Sequence, residues 1–421
     1  MIYAILEWPL VRLSETLLVL RLPAFVAGAL AAGALYWAAT GLVSRTEAAA
    51  AAWLLAISPY AIADSQLGRP YVLAMLFGIV AYGCLFRVDS DRRYWICYVA
   101  ALALAGYSNT LAVPLLVAAQ TVYVAMKPRY LRTWMLSLAA TALLLAPLAA
   151  VVAAERLKRD PLYWLTRPTP SDVVSLAKAF MGGGRVLALG VVILIAAAGL
   201  RRLWDWRILV FAAWAFGPVV LLFVFAQAEP TFWPSYLLPV LPGVLLLVGC
   251  AAVRLPGPLA VVGIVLLTAG FLRGFGHRDP YHPHGLRDAT QALVAARHGD
   301  PVVFDISDGL TAAGFYTDEL AGRDGLLVVS EWGDQAIPAN VILLDNPGGY
   351  GHVPVGPPTR RLLSRLLKRT GTVFVYVYST THQGDVLESP GLLWAARACD
   401  FDVVPYGGVR LARLRNCSAV A

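Results

Sequence analysis

The chain has 421 residues, of which 59% are hydrophobic and only 14% charged, and it carries a formal net charge of +8. A soluble protein has charge on about one residue in four, so a wholly soluble chain is excluded. The surplus of Lys and Arg does not argue for nucleic acid, because basic residues collect in the cytoplasmic loops of membrane proteins; no nucleic-acid partner is expected.

The opening Met1-Ile2-Tyr3-Ala4 has neither the basic region nor the small-residue cleavage site of a signal peptide. Over residues 1–14, Ile2, Tyr3, Ile5, Leu6, Leu10 and Leu13 fall largely on one helical face, interrupted by Glu7 and Arg12. That pattern predicts a helix lying at the membrane interface. Ten apolar stretches follow, near 17–39, 47–63, 70–87, 94–107, 110–126, 132–153, 186–200, 207–227, 236–253 and 257–272. Each is a candidate span, some of them short. The membrane domain is therefore placed at 1–272, with a long loop at 154–185.

Alternate loops hold the cations. Arg45, then Arg87, Arg92 and Arg93, then Lys127, Arg129 and Arg132, then Arg201, Arg202 and Arg207, and finally Arg254 fall in one set. The positive-inside rule assigns that set to the cytoplasm. The polar break Tyr107-Ser108-Asn109-Thr110 keeps two spans within 94–126, as the charge alternation requires. An even number of spans past an outside start then returns residues 273–421 to the extracytoplasmic side of the cell membrane.

Residues 273–421 have ordinary soluble composition. Strands are predicted at Pro301–Asp305, Gly325–Ser330, Asn340–Asp345, Thr372–Tyr378 and Phe401–Pro405, and helices at Arg287–Arg297 and Thr359–Lys368. This order predicts a small α/β domain with a largely parallel sheet. Asp305 and Asp345 end two strands, where such folds bind ligands but where an Asp also caps a helix. His277, Asp279, His282 and His284 read as part of a linker rather than as a metal site, and no cofactor or divalent cation is indicated. Cys84, Cys97 and Cys250 lie in apolar segments and read as small core residues. Cys399 and Cys417 form a disulfide if their domain is extracytoplasmic, and are otherwise two free thiols.

Three outer segments could carry chemistry. The first, Ala63-Asp64-Ser65-Gln66-Leu67-Gly68-Arg69-Pro70-Tyr71, holds the one cation of the short outer loops, Arg69. A guanidinium there either clamps a phosphate in bidentate fashion or snorkels to anchor a helix end. The second, 154–185, brings Arg156, Lys158, Arg159, Arg167, Lys178 and Arg185 to the side where cations are scarce. An anionic substrate such as a lipid phosphate would account for them, as would nonspecific pairing with headgroups. The third is Gln227–Tyr236, with Glu229 as an acid or base candidate. No nucleophile elbow, phosphate loop or His/Cys metal spacing is present.

Four stretches resemble the membrane glycosyltransferases of the GT-C fold that use polyprenyl-phosphate sugars, the protein O-mannosyltransferase and aminoarabinose-transferase relatives. They are Ile2–Gly28 with its Arg21-Leu22-Pro23, Ser58-Pro59 through Ser65-Gln66-Leu67-Gly68-Arg69-Pro70-Tyr71, Tyr236-Leu237-Leu238-Pro239 through Pro242, and Arg278-Asp279-Pro280-Tyr281. The resemblance implies transfer of a sugar from a polyprenyl-phosphate donor to a glycan, lipid or protein acceptor on the outer face. It makes Gln66, Arg69, Tyr71, Arg156, Lys158, Arg159 and Arg185 the candidates for binding the donor phosphate. The family's first span and the loop holding its catalytic carboxylate would precede Met1, which leaves Asp64 and Glu229 as substitute bases. Leu67 stands where the family often has Glu, and Ser235 where it often has Arg. An inactive relic or scaffold and a lipid-linked sugar transporter are the competing classes.

Overall fold

The computed structural model describes residues 2–13, 17–158, 167–182, 205–275, 286–297, 302–304, 341–343, 371–378, 399–406 and 409–415. The chain divides into two compact units, residues 1–157 with 165–277, and residues 158–164 with 278–421.

The first unit is helical: α1 (Ile2–Leu13), α2 (Leu17–Ala39), α3 (Arg45–Ala56), α4 (Pro59–Ser65), α5 (Tyr71–Leu85), α6 (Tyr94–Ser108), α7 (Ala112–Met126), α8 (Leu131–Lys158), α9 (Pro170–Phe180), α10 (Trp206–Ala228), α11 (Leu241–Val253) and α12 (Gly257–Gly274). A 3₁₀ turn at Pro234–Val240 leads into α11. Among the described residues five helical stretches are long and apolar enough to cross a membrane, and a bent pair makes a sixth. Three further apolar helices, α5, α6 and α7, have 15 residues each. At 1.5 Å per residue they reach about 22 Å, less than a hydrocarbon core of about 30 Å. The expected span near 186–200 lies outside the described residues.

One expected span is broken. The stretch read as 47–63 is two helices, α3 and α4, bent by 55°. The cause is Ser58-Pro59. A residue ahead of proline is pushed out of the helical region, and Ser58 sits at φ −69°, ψ 116°. Its hydroxyl then accepts from Ala61 N at 3.4 Å, capping the new helix. The pair predicted within 94–126 is present, with Asn109 extended at φ −146°, ψ 117° between α6 and α7.

The interior is packed by large rings and by close backbone approaches. Tyr60, Tyr82, Tyr98, Tyr123, Phe211, Trp214 and Phe271 are fully buried. A Cβ on Gly249 of α11 would lie 2.9 Å from the backbone nitrogen of Ala51, so α3 and α11 almost touch. Outward faces are apolar instead of polar, as hydrocarbon demands: α10 exposes Phe216, Val220 and Val224, and α12 exposes Val261, Val265 and Leu266. Cys84 and Cys250 are buried as expected, but Cys97 is exposed, because it lies on the outward side of α6.

The cation-bearing loops meet at one end of this bundle. Arg254 Nε donates to Glu47 Oε1 at 2.6 Å, and its NH2 group lies 3.4 Å from Asp205 Oδ2. This joins the start of α3, the end of α11 and the start of α10. Asp89 receives Arg129 at 2.7 Å and Lys127 at 3.3 Å. Arg87 donates to the last carbonyls of α2, at Ala38 and Trp37, where a helix presents negative potential.

The second unit contains α13 (Leu286–Arg297) and strands β1 (Val302–Phe304), β2 (Val341–Leu343), β3 (Thr372–Tyr378), β4 (Asp400–Tyr406) and β5 (Val409–Arg415), in the order β2-β1-β3-β5-β4. The sheet is mixed, which corrects the expectation of a largely parallel one. β1 pairs in parallel with β2 and β3, whereas β5 pairs antiparallel with both β3 and β4. The difference arises at β5, which was not predicted. Tyr406 pairs with Val409 across Gly407-Gly408, a two-residue hairpin signal. The segments 325–330 and 359–368, together with Asp305 and Asp345, lie outside the described residues.

The α3–α11 contact gives a test. Gly249→Ala, which drives a methyl into backbone, should destabilise the unit by about 1–3 kcal/mol. Gly33→Ala in α2 meets nothing within 4 Å and should leave stability unchanged or slightly raised. Thermal unfolding in detergent compares the two.

Candidate functional site

The helices that carry ion pairs at one end carry the candidate residues at the other. α5 runs from Tyr71 to Leu85, just ahead of Arg87, and α10 runs from Trp206, beside Asp205, to Ala228, beside Glu229. The far end, called the mouth here, therefore gathers Ala63–Tyr71, Gln227–Tyr236, α9 and the end of α12.

Contacts across the mouth tie these segments together. The rings of Tyr60 on α4 and Phe180 on α9 meet edge-on at 5.1 Å. Gln227 Nε2 donates to Pro168 O at 2.9 Å, holding the lead-in to α9 against the end of α10. A Cβ on Gly274 would lie 2.8 Å from Pro59 Cγ and 2.9 Å from Gly182 Cα, so only glycine fits there. Gly182 itself has φ +70°, a region that side chains other than glycine rarely adopt.

Within this frame four residues form a cluster. Arg69 is exposed, and the charges of Arg69 and Asp64 are both felt at the Tyr71 hydroxyl. The rings of Tyr71 and Tyr236 meet edge-on at 5.7 Å, and Tyr236 in turn senses Arg69. Asp64 is fully buried at the end of α4, while its neighbour Gln66 is exposed. Ser65 donates back to Ala61 O at 2.6 Å, and its hydroxyl occupies the space a side chain on Gly28 would need. The arrangement presents an exposed guanidinium and a buried carboxylate that both act on one tyrosine. That is a combination suited to holding an anion while keeping a proton acceptor nearby.

The remaining candidates are placed as follows. Glu229 is half-buried at the C-terminal cap of α10. Arg156 and Lys158 fall on the last turn of α8, with only their backbone described. Arg159 and Arg185, and the His277–His284 cluster, lie outside the described residues. Cys399 is disulfide-bonded, and Cys417 lies outside the described residues.

Two features of the mouth were missed. α9 was read as loop, yet Thr169-Pro170-Ser171-Asp172 is a helix-start signature, and Asp172 Oδ2 accepts from Thr169 N at 2.6 Å and from Thr169 Oγ1 at 2.8 Å. Tyr236 was quoted within a motif but not as a site residue. Its pairing with Tyr71 is a tertiary contact that no local pattern encodes.

Residues 4–153 match the family described as dolichyl-phosphate-mannose-protein mannosyltransferase. Among solved structures the chain is similar to ArnT from Cupriavidus metallidurans in the apo state, with a TM-score of 0.55, 15% identity, and coverage of 94% of this chain and 83% of that one. It is also similar to ArnT from the same organism bound to undecaprenyl phosphate, with a TM-score of 0.54, 13% identity, and coverage of 94% and 84%. At these identities the likeness is one of fold. A search of curated proteins finds no match.

The Gln227 tie can be tested separately. Gln227→Leu should release the segment ahead of α9. Hydrogen exchange at residues 167–172 should then speed up several-fold, with exchange in α5 and α6 unchanged.

Proposed function

We propose that the chain, whose residues 4–153 match the dolichyl-phosphate-mannose-protein mannosyltransferase family, transfers a sugar from a polyprenyl-phosphate donor to an acceptor at the outer face of the cell membrane. On this reading the mouth opens to the extracytoplasmic side of the membrane, and residues 273–421 are extracytoplasmic. The observation that supports this most is the cluster of Arg69, Tyr71, Tyr236 and Asp64 at the end of the bundle opposite the ion-paired loops.

The leaving group of such a transfer is a lipid phosphate, which gains charge as the sugar departs. Arg69 is the cation to meet it, because a planar guanidinium offers two parallel donors to phosphate oxygens. Tyr71 stands beside that guanidinium. Gln66 is exposed at the same mouth and can supply a neutral donor. Arg156, Lys158, Arg159 and Arg185 are further candidates for the same headgroup on charge alone. The acceptor hydroxyl must lose a proton, and Asp64, whose charge is felt within the cluster, is the first base to test, with Glu229 the second.

The reading predicts a division of labour. Arg69→Ala should weaken binding of undecaprenyl phosphate to the purified chain in nanodiscs by about 10- to 100-fold, the worth of charge-assisted hydrogen bonds, and Arg69→Lys should restore part of it. Asp64→Asn should leave that binding within a few-fold and lower transfer by about 100-fold or more. Tight binding without transfer in the parent chain would instead mark a scaffold. Binding unaffected by Arg69→Ala would remove the cluster from the site.

A further inference from the structure

Among the described residues at the mouth, Thr231 and Asn109 are buried with a donor or acceptor unmet. Thr231 is fully buried, and its Oγ1 has no hydrogen-bond partner. Asn109 is only 8% exposed; its Oδ1 accepts from Leu111 N at 3.1 Å, but its Nδ2 donates to nothing. Tyr82, Gln120 and Tyr123 also carry unmet atoms, but these three lie within helices among packed rings. Asn109 and Thr231 differ in place. Each sits in a connection at the mouth, Asn109 just ahead of α7 and Thr231 just ahead of the 3₁₀ turn at Pro234–Val240. That turn carries Tyr236 and packs against α5, α7 and α10, so Thr231 leads into the turn that bears a cluster residue and Asn109 into a helix packed against that turn.

A buried polar atom left unmet opposes folding, and folded proteins keep few of them. Where one persists beside a binding site, a ligand that completes it accounts for its retention. The chemistry of these two is neutral. An amide NH₂ donates, and a hydroxyl both donates and accepts. A phosphate is matched by Arg69, whereas neutral groups in a dry setting match the hydroxyls of a carbohydrate.

We propose that Thr231 Oγ1 and Asn109 Nδ2 form a carbohydrate subsite that hydrogen-bonds hydroxyls of the sugar on the donor lipid. The inference rests on the function proposed above and adds to it the residues that read the sugar. It also makes an unusual demand on Thr231. Replacing an unmet buried hydroxyl by a methyl of the same shape should not harm the fold, yet it should harm recognition.

The experiment uses the full chain in nanodiscs and three probes: undecaprenyl phosphate, undecaprenyl-phosphoryl mannose and undecaprenyl-phosphoryl arabinose. The parent chain should bind at least one sugar-bearing lipid more tightly than the bare phosphate. Thr231→Val should keep or raise the unfolding temperature, leave bare-phosphate affinity unchanged and weaken the preferred sugar-bearing lipid by about tenfold, the scale of one lost hydrogen bond. Asn109→Ser, which keeps an oxygen for Leu111 N but removes the amide donor, should act in the same direction. Equal affinity of parent and Thr231→Val for every sugar-bearing lipid would overturn the subsite, and water would then be the partner of these atoms. So would an equal loss for bare and sugar-bearing lipids, or a parent chain that does not distinguish the three probes. Failure of the parent to bind any of them would overturn the donor reading itself, and the subsite with it.

Discussion

A bundle of apolar helices in hydrocarbon can keep charge only at its two ends, and the rest of this structure follows from how the chain divides its charge between them. At one end, among the described residues, several charges pair with one another. Arg254 bridges Glu47 and Asp205, and Lys127 and Arg129 share Asp89. Arg87 is spent on the carbonyls that end α2. That end is a clasp joining helix termini. At the other end the guanidinium of Arg69 is exposed beside Tyr71, where an anion can reach it.

The two ends are coupled by the same helices. α3 begins in the clasp and breaks at Ser58-Pro59 into α4, which delivers Asp64 and leads to Arg69. α10 begins beside Asp205 and ends at Glu229. α11 ends at Arg254 and begins from the turn that holds Tyr236. Fixing three termini at the clasp fixes where three pieces of the mouth can lie. The near contact of Gly249 with Ala51 locks α3 against α11 between the two ends. Precision at the mouth, on this view, is built from glycine contacts deep in the bundle as much as from the residues that meet the ligand.

Much of this was legible in the sequence. Apolar length located the helices, and the alternation of cations sorted the loops into the two groups that the structure brings to opposite ends. Arg69 stood out because it broke that alternation. What was not legible has specific causes. The break in the second span was written in Ser58-Pro59, but the apolar run across it masked it. α9 announced itself through Thr169 and Asp172 inside a loop read for charge rather than for caps. β5 lay beyond the last apolar β-branched run read as a strand, and its arginines alternate with Val, Leu and Ala. Tyr236, Asn109 and Thr231 depend on burial and on neighbours distant in sequence, and no window of local pattern contains that information.

The central claim is that the mouth faces outward and the clasp faces the cytoplasm. It is tested most directly by single cysteines placed at Gln66 and at Arg92, in a chain whose exposed Cys97 is replaced by alanine, in right-side-out membrane vesicles. A membrane-impermeant maleimide should label the cysteine at 66 in intact vesicles, and the cysteine at 92 only after the membrane is opened. Labelling of position 92 in sealed vesicles, with position 66 protected until lysis, would contradict the account.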